Sequence, residues 1–317
     1  MLDKKSLEEI ILNINYRTGI RNEILEKDYY VCLVLKDLSN KQEKLQAYFK
    51  GGTAVYKILD QMNRFSEDID LTVKNDKTKS KTFNTNRIKK SALDYNIQGL
   101  ELIKEESIVN IGSITSFYRY NSLFNMNELF KSEKIQIEAT SFTVSEPVSK
   151  YTIEPLIYKY ATDEEKKILK DKYSISEFEM EIIKLERIFV DKIFAAEFYY
   201  ERNMLDDVSK HLYDISIMMN NLDIKRLLNN DKELIKMIEY KRTEELFRKG
   251  GIPENKKIID FNYMKLDFSN ELISSFNRMQ KIYVLDDKYL LTIDEVKEKI
   301  KLLNEIFENL YKLKDSI

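Results

Sequence analysis

FKGGTAVYKILDQMNRFSEDIDLTV, residues 49–73, carries the strongest structural and chemical signal in this chain. It holds two of the chain's seven glycines, adjacent at Gly51 and Gly52. A short apolar run precedes them, and apolar residues recur at helical spacing after them. The pattern predicts a strand, a Gly-Gly turn and the N-terminus of a helix. Backbone N–H groups and the helix dipole at such an N-terminus attract anions such as phosphate.

Two carboxylates, Asp68 and Asp70, follow within the same stretch. Because side chains alternate along a strand, both carboxylates are predicted on one face, while Ile69, Leu71 and Val73 point into a core. Carboxylate and phosphate oxygens are the hard ligands that Mg²⁺ prefers. The pair therefore predicts a site for Mg²⁺, with Mn²⁺ as an alternative, on the phosphates of a nucleoside triphosphate (NTP). A metal ion there stabilises charge on the α-phosphoryl group and on pyrophosphate, which is the chemistry of nucleotidyl transfer.

Other residues of the stretch are candidates for phosphate binding. We expect Gly51, Gly52 and Thr53 to bind phosphate, and Thr53 also fits a helix N-cap. Ser66 either contacts the γ-phosphate or a metal-bound water, or it turns the chain through a backbone hydrogen bond. Arg64 either meets phosphate or the carboxylates, or it lies at the surface.

GGTAVYKIL followed by RFSEDIDLTV resembles the nucleotidyltransferase toxins of the AbiEii/AbiGii family, a branch of the DNA polymerase β-like superfamily. Further blocks before and after this stretch also resemble the family and stand in the family order. They are RTGI with LEKDYY (17–20 and 25–30), LERIFVDKI (185–193) and KHLYD (210–214). The resemblance implies an α+β fold: a polymerase β-like nucleotidyltransferase domain with N-terminal helices, followed by a C-terminal helical bundle.

The resemblance also implies a function. It indicates an Mg²⁺-dependent toxin that transfers NMP from an NTP to the 3′ end of tRNA and so blocks translation, within a toxin–antitoxin or phage-defence pair whose antitoxin is encoded nearby. A second interpretation keeps the reaction but changes the acceptor to a protein hydroxyl or a small hydroxylated compound such as an aminoglycoside. A third is a catalytically silent binding module, which the intact glycines and aspartates disfavour.

A third carboxylate is expected on a neighbouring strand, because a two-metal transfer uses one. In KIQIEA, Ile135 and Ile137 mark a buried face, so Glu138 is predicted on the opposite face. The superfamily resemblance implies that Glu138 helps to hold the metal ions and to activate the attacking hydroxyl. The alternative is an exposed glutamate on a half-buried strand.

Lys192 is predicted to emerge from the apolar face of a helix. Its neighbours three and four positions away are Ile188, Phe189, Ala195 and Ala196. A cation there is costly without an anion, so Lys192 either clamps the NTP phosphates or snorkels at the helix edge.

Asp214 follows on the next helix, and a short turn is predicted to bring it to Lys192. The resemblance implies that Asp214 belongs to the active site, orienting Lys192 or binding nucleotide. His211 is predicted to be structural more readily than a general acid or base. The roles of Glu26, Lys27 and Asp28 stay open between support of the Gly51 turn and ligand contact.

Composition narrows the class of protein. The net charge of −2 gives no whole-chain support for nucleic-acid binding. Basic residues are nevertheless frequent in the segment that follows the Asp70 strand in sequence, where they either contact a phosphate backbone or form a solvated loop. They are Lys74, Lys77, Lys79, Lys81, Arg87, Lys89 and Lys90. The single cysteine, Cys32, lies in an apolar run and is predicted to be a buried thiol.

The chain shows no run approaching the ~18–20 apolar residues that span a bilayer. It also shows no signal-peptide pattern, so we expect a cytoplasmic protein with no membrane partner. Helices are predicted over 7–39, 53–62 and 87–104, and then over 177–202, 206–221, 234–249, 270–283 and 293–313. Strands are predicted near 47–50, 68–74, 107–111, 116–120 and 134–141. Helical periodicity alone after residue 156 predicts a catalytic domain over 1–155 and a helical domain over 156–317 that contributes Lys192 and Asp214 to the site.

Overall fold

The structure is a computed structural model that describes residues 4–59, 64–124 and 133–315. The chain divides into two compact units. The first comprises Met1–Asp60 and Phe65–Ile183, and the second comprises Gln61–Arg64 and Lys184–Ile317. The boundary expected near residue 155 falls inside the first unit, because the chain forms one more strand of that unit's sheet before it leaves.

The first unit combines helices with one mixed sheet. Its helices are α1 (Lys4–Thr18), α2 (Asn22–Leu45), α3 (Gly51–Leu59), α4 (Lys81–Leu93), α5 (Leu156–Lys159) and α6 (Asp163–Tyr173). Its strands are β1 (Ala47–Lys50), β2 (Ile69–Val73), β3 (Leu100–Leu102), β4 (Ile108–Asn110), β5 (Ser113–Tyr120), β6 (Lys134–Thr140), β7 (Val148–Ile153) and β8 (Phe178–Ile183). The mixed α/β class predicted from the sequence is confirmed.

The sheet runs in the order β3-β5-β6-β2-β1-β8-β7, with β4 paired to β5. At its centre β2 pairs antiparallel with β1 and parallel with β6. The buried face of these three strands is apolar, since Phe49, Leu71 and Ala139 lie side by side and are fully buried. Helices α2 and α4 pack against the sheet. The predicted burial of Ile69, Leu71 and Val73 is confirmed.

Several predicted helices of the first unit need correction. The helix expected over 7–39 is two helices, because the chain turns at Gly19, whose φ of 74° favours glycine. The helix expected over 87–104 stops with α4 at Leu93, and β3 follows. Cys32 is fully buried as predicted, and burial raises the pKa of its thiol.

The largest error concerns residues 177–183, which we expected to open a long helix. They form β8, which pairs parallel with β1 and antiparallel with β7. The sequence FEMEII alternates acidic and apolar residues, and Met180 and Ile182 are buried while Glu179 and Glu181 are exposed. This period of two is a strand signal. The helix begins only at Leu185.

The second unit is a helical bundle, as predicted. Its helices are α7 (Leu185–Tyr200), α8 (Leu205–Met218), α9 (Leu222–Leu228), α10 (Asp231–Phe247), α11 (Asn270–Tyr283) and α12 (Ile293–Asp315). Helix α7 packs against α8, α9 and α10, and α8 also packs against α11. Phe189, Leu212 and Phe276 are among the buried residues of this core. Across the described ranges, no helix combines the length and apolar character needed to cross a membrane.

Candidate active site

Gly51 is the point at which β1 becomes α3, and it lies against Asp70. Its φ is 82°, a conformation that side chains disfavour. A Cβ built on Gly51 would lie 1.9 Å from Oδ2 of Asp70. The carboxylate therefore sits at the N-terminus of α3, where the helix dipole favours negative charge. The predicted strand and helix N-terminus are confirmed, but Gly51 and Gly52 are the first two residues of α3 and not a separate turn.

Asp70 also belongs to a row of polar residues across one face of the sheet. It lies opposite Lys50 in the β1–β2 ladder and beside Glu138 in the β2–β6 ladder. Partners in register point to the same face of a sheet. Glu138 is exposed while Ile135 and Ile137 are fully buried, so the predicted orientation of this strand is confirmed. Lys50 was missed, although its alternation with Phe49 was a signal.

The side chain of Thr53, in α3, contacts that of Ser66, in the segment before β2. The hydroxyl of Thr53 donates a hydrogen bond to Oγ of Ser66 at 3.1 Å. The prediction of Thr53 as an N-cap is wrong, because α3 begins at Gly51 and Thr53 is its third residue. Thr53 is fully buried. Its hydroxyl thus ties α3 to the segment that leads into β2.

The three predicted metal ligands do not form a closed cluster. Within residues 4–59, 64–124 and 133–315, no three His, Cys, Asp or Glu side chains are grouped so as to hold a metal ion. The ladder register nevertheless sets Glu138 beside Asp70, and exposed Asp68 precedes β2. These oxygens are the donors that suit Mg²⁺. The assignment of Asp68, Asp70 and Glu138 as ligands remains a prediction.

A second cluster, within the helical unit, is built on Asp214. Nζ of Lys192 lies 2.8 Å from Oδ2 of Asp214. Arg64 binds the same carboxylate through two bonds, Nε to Oδ1 at 2.6 Å and Nη2 to Oδ2 at 2.7 Å. The prediction that a short turn brings Lys192 and Asp214 together is confirmed. The surface alternative for Arg64 is wrong, because its side chain is only 9% exposed.

In this cluster two cations share one carboxylate. Burial alone would raise the pKa of Asp214, but Arg64 and Lys192 outweigh it and hold that pKa well below its usual value. Asp214 is therefore ionised at neutral pH.

Comparison with known protein families found a family whose model covers most of the chain. The family model described as nucleotidyl transferase AbiEii toxin, type IV TA system, matches residues 33–283. The chain belongs to this family. It is accordingly a nucleotidyltransferase toxin of a type IV toxin–antitoxin system, and an antitoxin partner is implied. No curated protein sequence matches it.

His211 of this AbiEii-family chain lies beside the Asp214 cluster. Its ring stacks on Tyr199, with centroids 5.3 Å apart and planes inclined by 17°. Burial lowers the pKa of His211 well below its usual value, and the Lys192 cation lowers it further. The ring is therefore neutral at neutral pH. The stacking supports the structural interpretation of this histidine.

Several basic residues of this AbiEii-family chain form contacts that stabilise its fold. Lys241 is buried and forms ion pairs with Glu244 and Glu245 at 3.2 and 2.8 Å. Arg242 donates to the backbone carbonyls of Pro253 and Lys256. Arg87, in the basic segment after β2, is buried and donates to a backbone carbonyl. The other lysines of that segment are exposed.

Proposed function

We propose that this chain transfers NMP from an NTP to an acceptor hydroxyl and releases pyrophosphate in an Mg²⁺-dependent reaction. The observation that carries the proposal is the Asp70 carboxylate against Gly51, in the same row of the sheet as Glu138. It joins an acidic metal ligand to a helix N-terminus able to bind phosphate.

In this proposal the residues of the first unit bind the metal ion and the phosphates and accept a proton. Asp68 and Asp70 would hold the metal ion, with Glu138 as a third ligand. Mg²⁺ would supply charge stabilisation for the phosphates when bound. The backbone N–H groups of Gly51 and Gly52 would bind phosphate. An exposed carboxylate at Glu138 is also suited to accept the proton of the attacking hydroxyl.

Lys192 is assigned to the phosphates of the nucleotide. Its support is the Lys192–Asp214 ion pair, which offsets the cost of burying the ammonium group and fixes its position. Asp214 holds the Lys192 and Arg64 side chains in fixed positions. Arg64 donates two hydrogen bonds to Asp214, so it helps to fix the position of that carboxylate.

The 3′ end of tRNA is the acceptor that we favour. Exposed lysines follow β2 directly, and they suit a phosphate backbone. They are Lys74, Lys77, Lys79, Lys81, Lys89 and Lys90. A toxin that modifies tRNA ends would halt translation. A protein hydroxyl or a small hydroxylated compound remains the rival, because the same phosphate and metal chemistry serves any attacking hydroxyl.

A labelling experiment tests the reaction and the acceptor together. α-³²P-labelled NTPs are supplied one at a time with Mg²⁺, total tRNA and the protein. We expect label on tRNA with wild type and none with Asp70→Asn. Glu179→Gln, an exposed acid on β8 of the same sheet, is the matched control and should label as wild type does.

Each other outcome has a definite meaning. Label on a protein band or a small molecule, with tRNA blank, would reject the tRNA acceptor and keep the nucleotidyl transfer. Label on tRNA that survives Asp70→Asn would reject the metal assignment. No transfer from any NTP, together with no Mg²⁺–NTP binding by calorimetry, would favour the silent binding module.

A further inference from the structure

Helix α2 carries three consecutive charged residues, Glu26, Lys27 and Asp28, into the interior of the first unit. Lys27 is 2% exposed and Asp28 is fully buried. A buried charge costs several kcal/mol unless an opposite charge compensates it. A helix that only filled a core would carry apolar residues at these positions. The partners of these charges therefore indicate their purpose.

Lys27 reaches the segment that ends in Asp68. Its Nζ lies 2.9 Å from Oε2 of Glu67, which is bonded directly to Asp68. Residues 65–68 belong to no helix or strand, so side-chain contacts contribute much of what holds them. The Thr53–Ser66 hydrogen bond is one such contact, and the Lys27–Glu67 ion pair is another.

Asp28 reaches α3, the helix that begins at Gly51. Its Oδ1 forms an ion pair with Lys57 at 2.6 Å and accepts a hydrogen bond from Tyr56. Its Oδ2 accepts the backbone N–H of Leu156 at 2.7 Å. Burial alone lowers the pKa of Lys57, but the Asp28 carboxylate outweighs it and raises that pKa, so Lys57 is charged. One turn of α2 thus holds both α3 and the segment before β2.

We propose that Lys27 is a positioning residue for nucleotidyl transfer, which sets the place of Asp68 through the Lys27–Glu67 ion pair. The proposal rests on the proposed function, since it concerns a carboxylate assigned to the metal. Asp28 fixes α3 independently of that pair. Loss of the Lys27 ammonium would leave α3 in place and remove the ion pair that holds Glu67, the residue before Asp68.

The test uses variants of the full-length protein. Lys27→Met removes the ammonium and keeps the apolar stem, Glu67→Gln removes the partner's charge, and Lys27→Arg restores a cation. Arg17→Met is the matched control, because it removes another ion pair of the first unit, with Glu165 at 2.6 Å, that involves none of the candidate site. Thermal unfolding confirms that each variant is folded.

The first readout is hydrogen exchange, which requires no activity. We expect faster exchange in peptides covering 65–70 for Lys27→Met and Glu67→Gln, with Lys27→Arg and Arg17→Met unchanged there. Exchange in 65–70 that equals wild type in both Lys27→Met and Glu67→Gln would overturn the proposal. Should Lys27→Met fail to fold, Glu67→Gln carries the test, because the Glu67 side chain is 32% exposed and tolerates the change better.

The second readout is the transfer rate. A misplaced ligand costs on the order of 10- to 100-fold in rate, so kcat should fall by about that factor in Lys27→Met and Glu67→Gln. The Mg²⁺ concentration for half-maximal rate should rise, and Lys27→Arg should recover most of the loss. An active wild type with Lys27→Met within twofold of it would overturn the positioning role. A wild type that transfers nothing refutes the proposed function instead, and the exchange comparison then decides the role of Lys27.

Discussion

The carboxylate of Asp70 occupies the space in which a side chain on residue 51 would begin, since a Cβ on Gly51 would fall 1.9 Å from Oδ2 of Asp70. Two features therefore require glycine at residue 51. They are the backbone φ of 82° and the close approach of Asp70. The two requirements can be separated by experiment.

Gly51→Ala should abolish transfer and destabilise the fold. The left-handed backbone alone costs about 1–2 kcal/mol with a side chain, and displacement of Asp70 adds to it. Gly19→Ala is the matched control, because Gly19 has a φ of 74° but a Cβ added there would meet nothing within 4 Å beyond its own chain neighbours. Chemical denaturation should show a loss for both variants, and the labelling assay a loss for Gly51→Ala alone. Equal activity in the two variants would contradict the close approach of Asp70.

Asp214→Asn should destabilise the protein more than Lys192→Met does. The first change leaves two buried cations without their shared carboxylate, for which about 3–5 kcal/mol is expected. The second leaves the bidentate Arg64–Asp214 pair intact. Urea unfolding of both variants measures the difference. The opposite order of stability would show that Asp214 does not hold the cluster together.

The pH dependence of stability should report the same carboxylate. Because the pKa of Asp214 is depressed in the folded state, the unfolded chain takes up a proton first as the pH falls below about 4. Stability from this group is therefore present above that pH and is lost on further acidification. The gap in unfolding free energy between wild type and Asp214→Asn should be constant from pH 5 to 8 and should narrow below about 4. A gap that widens in acid would contradict the depressed pKa.

Glu138→Gln should lower the rate of transfer without lowering stability. Glu138 is exposed, so the loss of its charge costs the fold little, whereas a ligand or proton acceptor in the reaction is worth about 10²–10⁴-fold in rate. Glu179→Gln on β8 provides the comparison, because Glu179 is also an exposed acid of the sheet. Initial rates at saturating Mg²⁺ and NTP make the measurement. A rate for Glu138→Gln within twofold of wild type would reduce Glu138 to a surface residue.

Local sequence predicted the elements in which one period dominates. IDLTV and KIQIEAT alternate in polarity, so the strands and their buried faces could be predicted directly, as could the change from strand to helix at Gly51. The helix over 270–283 was predicted to the residue, since its apolar residues recur at helical spacing. FEMEII was misjudged, because a strand of six residues followed directly by a helix gives a weak signal beside the long helical pattern.

Some residues of the candidate site could likewise be predicted from local spacing, and others could not. Asp68, Asp70 and Glu138 could be predicted because the period of a strand fixes the face on which each side chain lies. Lys192 could be predicted because a lysine among apolar helix neighbours needs an anionic partner. The bidentate Arg64–Asp214 pair, the Lys27–Glu67 pair and the position of Lys50 opposite Asp70 could not be derived in that way. Each joins residues from different elements of the chain.

The family resemblance rests on blocks of matching residues along the chain, whereas the mixed α/β class and the candidate acidic residues follow from residue types at short spacing. The approach of Asp70 to Gly51, the place of Glu138 beside Asp70 and the sharing of Asp214 by Lys192 and Arg64 depend on the folded chain. Strand register and ion-pair choice depend on how distant segments pack and exclude water. No local pattern of residues encodes those distances.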